Sequence, residues 1–430
     1  MPIGHSIIKL GLLRIATGTI DLIPVAALAF SLLQLHGLIT NEESAPTANP
    51  HTVTLTELFQ IYLHLEAFFL IYFVLQRIRL QPAIPPPQIS DQDRGKIFYR
   101  ALDTSDTRFR EFYAPWFIWK SSHRQLSVDE FGLIHKDNFL DWFSWLLYGA
   151  PNFSALSPKD SEELTNFLAD FELAKGVRIP PGKNLSIEPV ILSFNPIRAY
   201  PKPLLFYAGV SCVESLGHLY LTYLGFKRIV SAERRYSFDQ ETGIHYWVRQ
   251  PSIKAKIQKG LNHCLFPRNR MWIDSICKLY IRNHSAHPDS PVFLIEMPHV
   301  AMRFVDRVPS MSQTIAEVES MLDTYGYSKA MVIGHSLGSA STNREIDFVH
   351  RHPGRNTATM KANEFMMHWL CSRELHISYT ISRHFIWHQS LLWADDLPQN
   401  HHVVVSKQDL LVDAGVIETY LVREGVNHTV

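Results

Sequence analysis

Cysteine, metal-ligand spacing and net charge are all sparse in this 430-residue chain. The four cysteines, Cys212, Cys264, Cys277 and Cys371, stand far apart without CxxC spacing. That excludes a disulfide framework and a thiolate zinc site, and it fits reduced thiols in a cytosol-facing domain. The 41 basic and 41 acidic residues cancel, and no Lys/Arg block is long enough to track phosphates. Nucleic acid is therefore not an expected partner. Histidine is plentiful, at 22, but none falls into HExxH or comparable spacing, so no metal site is expected. No internal repeat is apparent.

What the chain does have is apolar content, 46%, unevenly placed. Residues 20–39 (IDLIPVAALAFSLLQLHGLI) and 55–75 (LTELFQIYLHLEAFFLIYFVL) each approach the length a helix needs to cross a bilayer. Asp21 and Pro24 stand at the start of the first, and His64 and Glu66 lie inside the second. A charge at the bilayer centre is costly, so Glu66 must face a helix partner or be protonated. Lys9 and Arg14 precede the first segment and Arg77 and Arg79 follow the second, while the loop between them carries Glu42 and Glu43 without Lys or Arg. The positive-inside rule puts both ends in the cytosol. The alternative is a pair of buried or surface-lying amphipathic helices. The run Gln81-Pro82-Ala83-Ile84-Pro85-Pro86-Pro87 cannot continue a helix and marks the end of a membrane segment spanning residues 1–81.

Residues 82–200 read as a Pro-rich linker and a mainly helical region. One helix is well marked: Ser157 caps it, Pro158 suits its first turn, Gly176 ends it, and Leu164, Phe167, Leu168 and Phe171 recur at helical spacing. Trp116, Trp119, Trp142 and Trp145 suit either a core or a membrane interface. Residues 202–226 form another apolar stretch, broken by Glu214 and His218. It reads as a buried or membrane-skimming helix rather than a third span.

Beyond residue 228 the pattern changes to strands alternating with helices. Strands are expected at 244–248 and 291–296, a helix from Ser312 to near Gly326, and a strand over 329–333. That succession describes a βαβ unit in a parallel sheet. It runs into Gly334-His335-Ser336-Leu337-Gly338. A nucleophile on a tight strand-to-helix turn needs small residues two before and two after it, and Gly334 and Gly338 supply them. The turn would lift Ser336 Oγ clear of the sheet and offer the Leu337 N–H to an oxyanion.

The GHSLGS elbow, the FLIEMPHV strand end and the later SREL and SRHF segments resemble the α/β-hydrolase superfamily, in particular fungal membrane-attached serine hydrolases. The resemblance covers residues 201–430. It implies an α/β fold, a mainly parallel sheet flanked by helices, behind a helical, membrane-spanning N-terminal region. It implies no cofactor. It also implies hydrolysis of an ester, thioester or amide, commonly a lipid-like one, by a Ser–acid–His triad. The nucleophile position is Ser336. The acid position follows the strand-like run 402–408, which selects Asp409, with Asp413 as understudy. His428 follows in the right chain order, although no full strand separates it from a helix expected over 414–424. The oxyanion turn corresponds to Gly260 and Leu261, where the match is partial. A helical, Trp-rich stretch near 355–397 stands where such enzymes carry a lid; ordinary helical core is the competing reading. The expected partners are the bilayer and a small amphiphilic acyl substrate. The alternative function is a catalytically inactive or truncated membrane protein serving as a scaffold or binding module.

Overall fold

A computed structural model describes residues 7–40, 54–104, 109–230, 244–250, 264–268, 291–305, 307–334, 362–389, 393–407 and 414–430. Two long helices come first, α1 (Ile7–Thr40) and α2 (Leu55–Arg79). Thr54 and Glu57 cap the start of α2 reciprocally, and Arg77 and Arg79 lie in its last turn, where cations suit the helix dipole. The interruptions noted in the sequence become contacts. His64 of α2 bonds Ser31 and Gln34 of α1 at 2.8 and 2.9 Å. Glu66 is fully buried and accepts the Leu204 backbone N–H with both oxygens, at 3.0 and 2.9 Å.

The largest core lies in the region that follows. α3 (Asp91–Thr104), α4 (Phe109–Tyr113), α5 (Lys136–Tyr148) and α6 (Pro158–Lys175) enclose it. The antiparallel pair β1 (Phe117–Trp119) and β2 (Ile187–Pro189) closes one side. α6 is built as its sequence predicts: Ser157 accepts the Asp160 N–H, Gly176 ends the helix at φ 61°, and Leu164, Phe167, Leu168 and Phe171 are its buried residues. Trp116, Trp142 and Trp145 are buried in this core, which decides between the two readings of those rings.

α7 (Leu204–Tyr223) leads to the sheet. Strands β3 (Lys227–Val230), β4 (His245–Arg249), β5 (Cys264–Arg268), β6 (Val292–Glu296) and β7 (Met331–Val332) pair in the order β3-β4-β6-β5-β7. α8 (Met311–Thr324) connects β6 to β7. α7 covers one face through Leu221 against Trp247, Val292 and Leu294. The other face, with Tyr246, Phe293 and Ile295, packs on Met321 of α8.

This corrects the expected mainly parallel architecture. Helix accounts for 61% of the described residues, and among them no extended parallel sheet is present. Within this sheet β3, β4 and β6 pair antiparallel, and the parallel pairings are those of β5 with β6 and, briefly, with β7. The physical reason is coverage. A parallel sheet needs helices over both faces of every strand. β7, the strand that leads to the elbow, is a two-residue edge with Met331 47% and Val332 67% exposed.

The rest of the chain returns to the helical body. α9 (Ala362–Met367), α10 (Leu375–Tyr379) and the π-helical turns beside them bury Ile377 and Ile381 in the large core. Arg383 donates to the backbone carbonyls of Gln81, Pro82, Leu192 and Asn195, and Trp387 donates to Leu146 O. The segment expected as a lid is thus stitched into the body. Last come β8 (Val403–Val404), α11 (Ala414–Arg423) and β9 (His428–Thr429). β8 and β9 form a separate parallel pair.

Candidate functional site

β5, β6 and β7 run in one direction, so their carboxyl ends lie at one end of the sheet. Gly334 follows β7 after Ile333 and is exposed. His335, Ser336, Leu337 and Gly338 lie outside the described residues, as do Gly260, Leu261, Asp409 and Asp413. Gly260 and Leu261 stand ahead of the first residue of β5, whereas Gly334 stands after the last residue of β7. Of the proposed triad only His428 is described. It lies on β9 opposite Val403, at the start of the strand that leads toward Asp409, and its Nδ1 is 2.7 Å from Val426 O. β8 and β9 form a sheet separate from the one that leads to Gly334.

What the structure does assemble at the carboxyl end of β6 is a compact charged group. Glu296, the last residue of β6, is buried. It accepts hydrogen bonds from Trp247 Nε1 at 2.6 Å and from Arg228 at 2.9 and 3.2 Å. Arg303 pairs with Glu214 of α7 and approaches Glu296 at 3.7 Å. His218 Nε2 lies between the two carboxylates, 3.5 Å from Glu296 and 3.7 Å from Glu214. Burial holds the Arg303 guanidinium below its usual value. Paired charges in this arrangement satisfy one another, which is what a buried carboxylate requires. Sequence reading singled out Glu214 and His218 only as interruptions of an apolar run, and it missed Arg228 and Arg303. Arg228 and Glu296, like Arg303 and Glu214, lie far apart in sequence, and no local spacing signals those pairs.

A second buried group ties α1 to the body. Lys202 is fully buried and donates to Asp21 at 3.1 Å, with its ammonium 3.5 Å from the Trp369 ring centre. Trp369 Nε1 also donates to Asp21, at 3.0 Å. Burial pushes the Lys202 ammonium down to about 8, against the opposing pull of Asp21. Close by, Glu374 accepts from Tyr207 and from the Ile377 N–H, and burial pushes its carboxyl up.

A third group sits where β6 meets the helical body. His299 follows β6 and is buried; its carbonyl accepts the Thr380 hydroxyl at 2.9 Å. Burial, reinforced by His384, lowers its imidazole to about 4. His384 packs against the Tyr379 ring, and burial holds it and His388 below the ordinary value as well.

Among the described residues, three helices, α1, α2 and α7, are long and apolar enough to cross a membrane. No protein-family model, no curated protein and no solved structure matches the chain.

Proposed function

We propose that the protein is a membrane-attached serine hydrolase whose nucleophile is Ser336, acting on an ester, thioester or amide of an amphiphilic, lipid-like acyl substrate. The observation that carries the reading is the approach to the motif. α8 follows β6 after the 3₁₀ turn Pro298–Val300, β7 follows α8 and stops at Val332, and Gly334, the first residue of the GHSLG sequence, stands just past the carboxyl end of β7. A GxSxG sequence gains its meaning from such a strand ahead of it. The carboxyl ends of parallel strands are also where ligands bind in α/β units.

In this reading Ser336 Oγ attacks the acyl carbon, the Leu337 N–H stabilises the oxyanion, and a histidine oriented by Asp409 takes and returns the proton. His428 is the histidine that chain order offers. The three apolar helices support attachment to a bilayer, and the Lys/Arg flanks of α1 and α2 support a cytosolic catalytic region. A bilayer-held enzyme meets amphiphilic esters at high local concentration.

A second reading is a non-catalytic membrane scaffold or binding module. It is favoured by one observation: the His428 ring is held at its own backbone, on a strand pair separate from the sheet that leads to the motif.

A fluorophosphonate probe separates the two. Applied to membranes holding the wild-type protein, it is expected to label the chain, and Ser336→Ala is expected to abolish the label at equal expression. Equal labelling of both, or none of either, would sink the hydrolase reading. His428→Ala should lower the labelling rate if that histidine is the base, and leave it unchanged if it is not.

A further inference from the structure

Ser336 needs a histidine near the end of β7, and chain order alone names His428. That ring is held at Val426 O, on a strand pair separate from the sheet that leads to Gly334. The register of the sheet names a different one. Val292 of β6 and Met331 of β7 both pair with Cys264 of β5, so they stand level on either side of it. Glu296 is four residues past Val292, and Gly334 is three residues past Met331. Two strand spacings and one residue of rise then separate Glu296 from Gly334 by about 10 Å.

The two positions also share a face. Ile333, which precedes Gly334, packs on the cluster that Leu221 of α7 forms with Trp247, Val292 and Leu294. α7 thus covers the face on which the chain leaves β7. At 100° per residue, Leu221, His218 and Glu214 fall on one stripe of that helix. Leu221 sits on the strands. His218, one turn back, reaches Glu296 at the carboxyl end of β6, and Glu214, a further turn back, pairs with Arg303.

His218 therefore stands at the end of the sheet toward which β7 leads. Its Nε2 lies 3.5 Å from Glu296 and 3.7 Å from Glu214. A carboxylate so placed fixes the tautomer of an imidazole and stabilises the imidazolium. Contacts of this kind are often long until substrate binds. Both carboxylates are held in turn, Glu296 by Arg228 and Trp247 and Glu214 by Arg303. Met302, the residue before Arg303, is buried and has φ 56°, in the left-handed region that a side chain disfavours. Backbone strain of this kind gathers at functional sites.

We propose that His218 is the general base of the hydrolase, oriented by Glu296 and Glu214, in the place that chain order gives to His428 and Asp409; this assignment rests on Ser336 as the nucleophile. As Ser336 Oγ bonds the acyl carbon, its proton passes to His218 Nδ1. The imidazolium then protonates the alkoxide, thiolate or amine whose bond to the acyl carbon breaks. Water, deprotonated by the same nitrogen, attacks the acyl-serine. The carboxylic acid departs and Oγ regains its proton.

The rate of fluorophosphonate labelling tests this on the full chain in membranes. Wild type should label, and Ser336→Ala should not. His218→Ala should label about 10²–10⁴-fold more slowly. Added imidazole should restore part of that rate by taking the place of the missing ring. Labelling of His218→Ala at the wild-type rate overturns the assignment and leaves the hydrolase reading standing. Slow labelling that imidazole does not restore gives His218 a structural role and overturns it too. Should His218→Ala not fold, His218→Asn decides: it should label slowly and lose the wild-type rise of rate with pH, and a retained rise overturns the assignment. Absence of Ser336-dependent labelling in wild type overturns the assignment and the hydrolase reading together.

Discussion

In the helical body Phe171 meets Phe109, Tyr113, Phe139 and Phe143, and Trp142 is 1% exposed. In the sheet Phe293 is equally buried, but its ring neighbours are three tyrosines, and two strands away, beyond β5, β7 stands in the open. The two regions draw on similar residues and differ in how many layers enclose them. The body has helices around a single continuous core, which the 362–389 segment closes through Arg383 and Trp387. The sheet has one thin cluster on each face, divided by the sheet itself. A protein that keeps its rigidity in one region and its candidate chemistry in the other separates the demands of stability from those of the site.

The largest expected effect tests that separation. Phe171→Ala removes an aromatic side chain from a closed core and should cost about 3–5 kcal/mol. Phe293→Ala removes the same group from the sheet. If the regions are separate packing units, thermal unfolding followed by circular dichroism should show two transitions. Phe171→Ala should lower one and Phe293→Ala the other. A single transition lowered alike by both variants would break the comparison, because couplings of this kind are absent between independent sites.

The same contrast explains what could be read from the chain and what could not. The body was legible wherever local chemistry decides: Ser157, Pro158 and Gly176 bound α6, and the spacing of Leu164, Phe167, Leu168 and Phe171 names its buried face. The strands at β4 and β6 and the helix α8 were legible on the same grounds. That Glu66 needs a partner followed from its place in an apolar helix. That the partner is the Leu204 N–H did not, because the two residues are far apart in sequence. The parallel sheet was expected from a succession of elements. Succession does not determine pairing direction, and β3, β4 and β6 pair antiparallel through contacts no local pattern encodes. The charged group around Glu296 was hidden for the same reason. Most of the proposed catalytic residues lie outside the described residues, so the elbow remains a reading of motif and approaching strand.

A middle-sized effect is expected at the seam between the regions. His299 follows β6, yet its carbonyl accepts the Thr380 hydroxyl of the body, and His384 is beside it. An imidazole in the unfolded chain titrates near 6.5, whereas burial lowers folded His299 to about 4. The unfolded state therefore binds the proton first as pH falls. The contribution of neutral His299 is complete above about pH 6.5 and is lost progressively toward pH 4, on the order of 2–3 kcal/mol. His384 and His388 are lowered by burial and act in the same sense. Between pH 7 and pH 4 the Tm of wild type should fall more steeply than that of His299→Leu. Parallel curves would show that His299 is not what makes the seam acid-sensitive.

The smallest expected effect bears on the strand nearest the candidate nucleophile. Met331 and Val332 pair with β5 on one side and leave both side chains open. An open side chain at a sheet edge gains little from being apolar, and edge positions tolerate charge, lysine in particular. Val332→Lys should therefore change stability by less than about 0.5 kcal/mol, the usual range for surface substitutions. The same substitution at Phe293, two strands further in on the far side of β5, would bury a lone ammonium and unfold the sheet. The comparison is sharp because the two outcomes differ by several kcal/mol on two strands that flank the same partner, β5. A cost above about 1.5 kcal/mol for Val332→Lys would mean that β7 is covered in the protein as it exists, by residues beyond the described ones or by a second chain. The strand leading to Ser336 would then be enclosed on both faces, as a strand carrying a nucleophile needs to be. A cost near zero would leave Ser336 following an open edge, where fluorophosphonate labelling would have to be explained without a closed pocket.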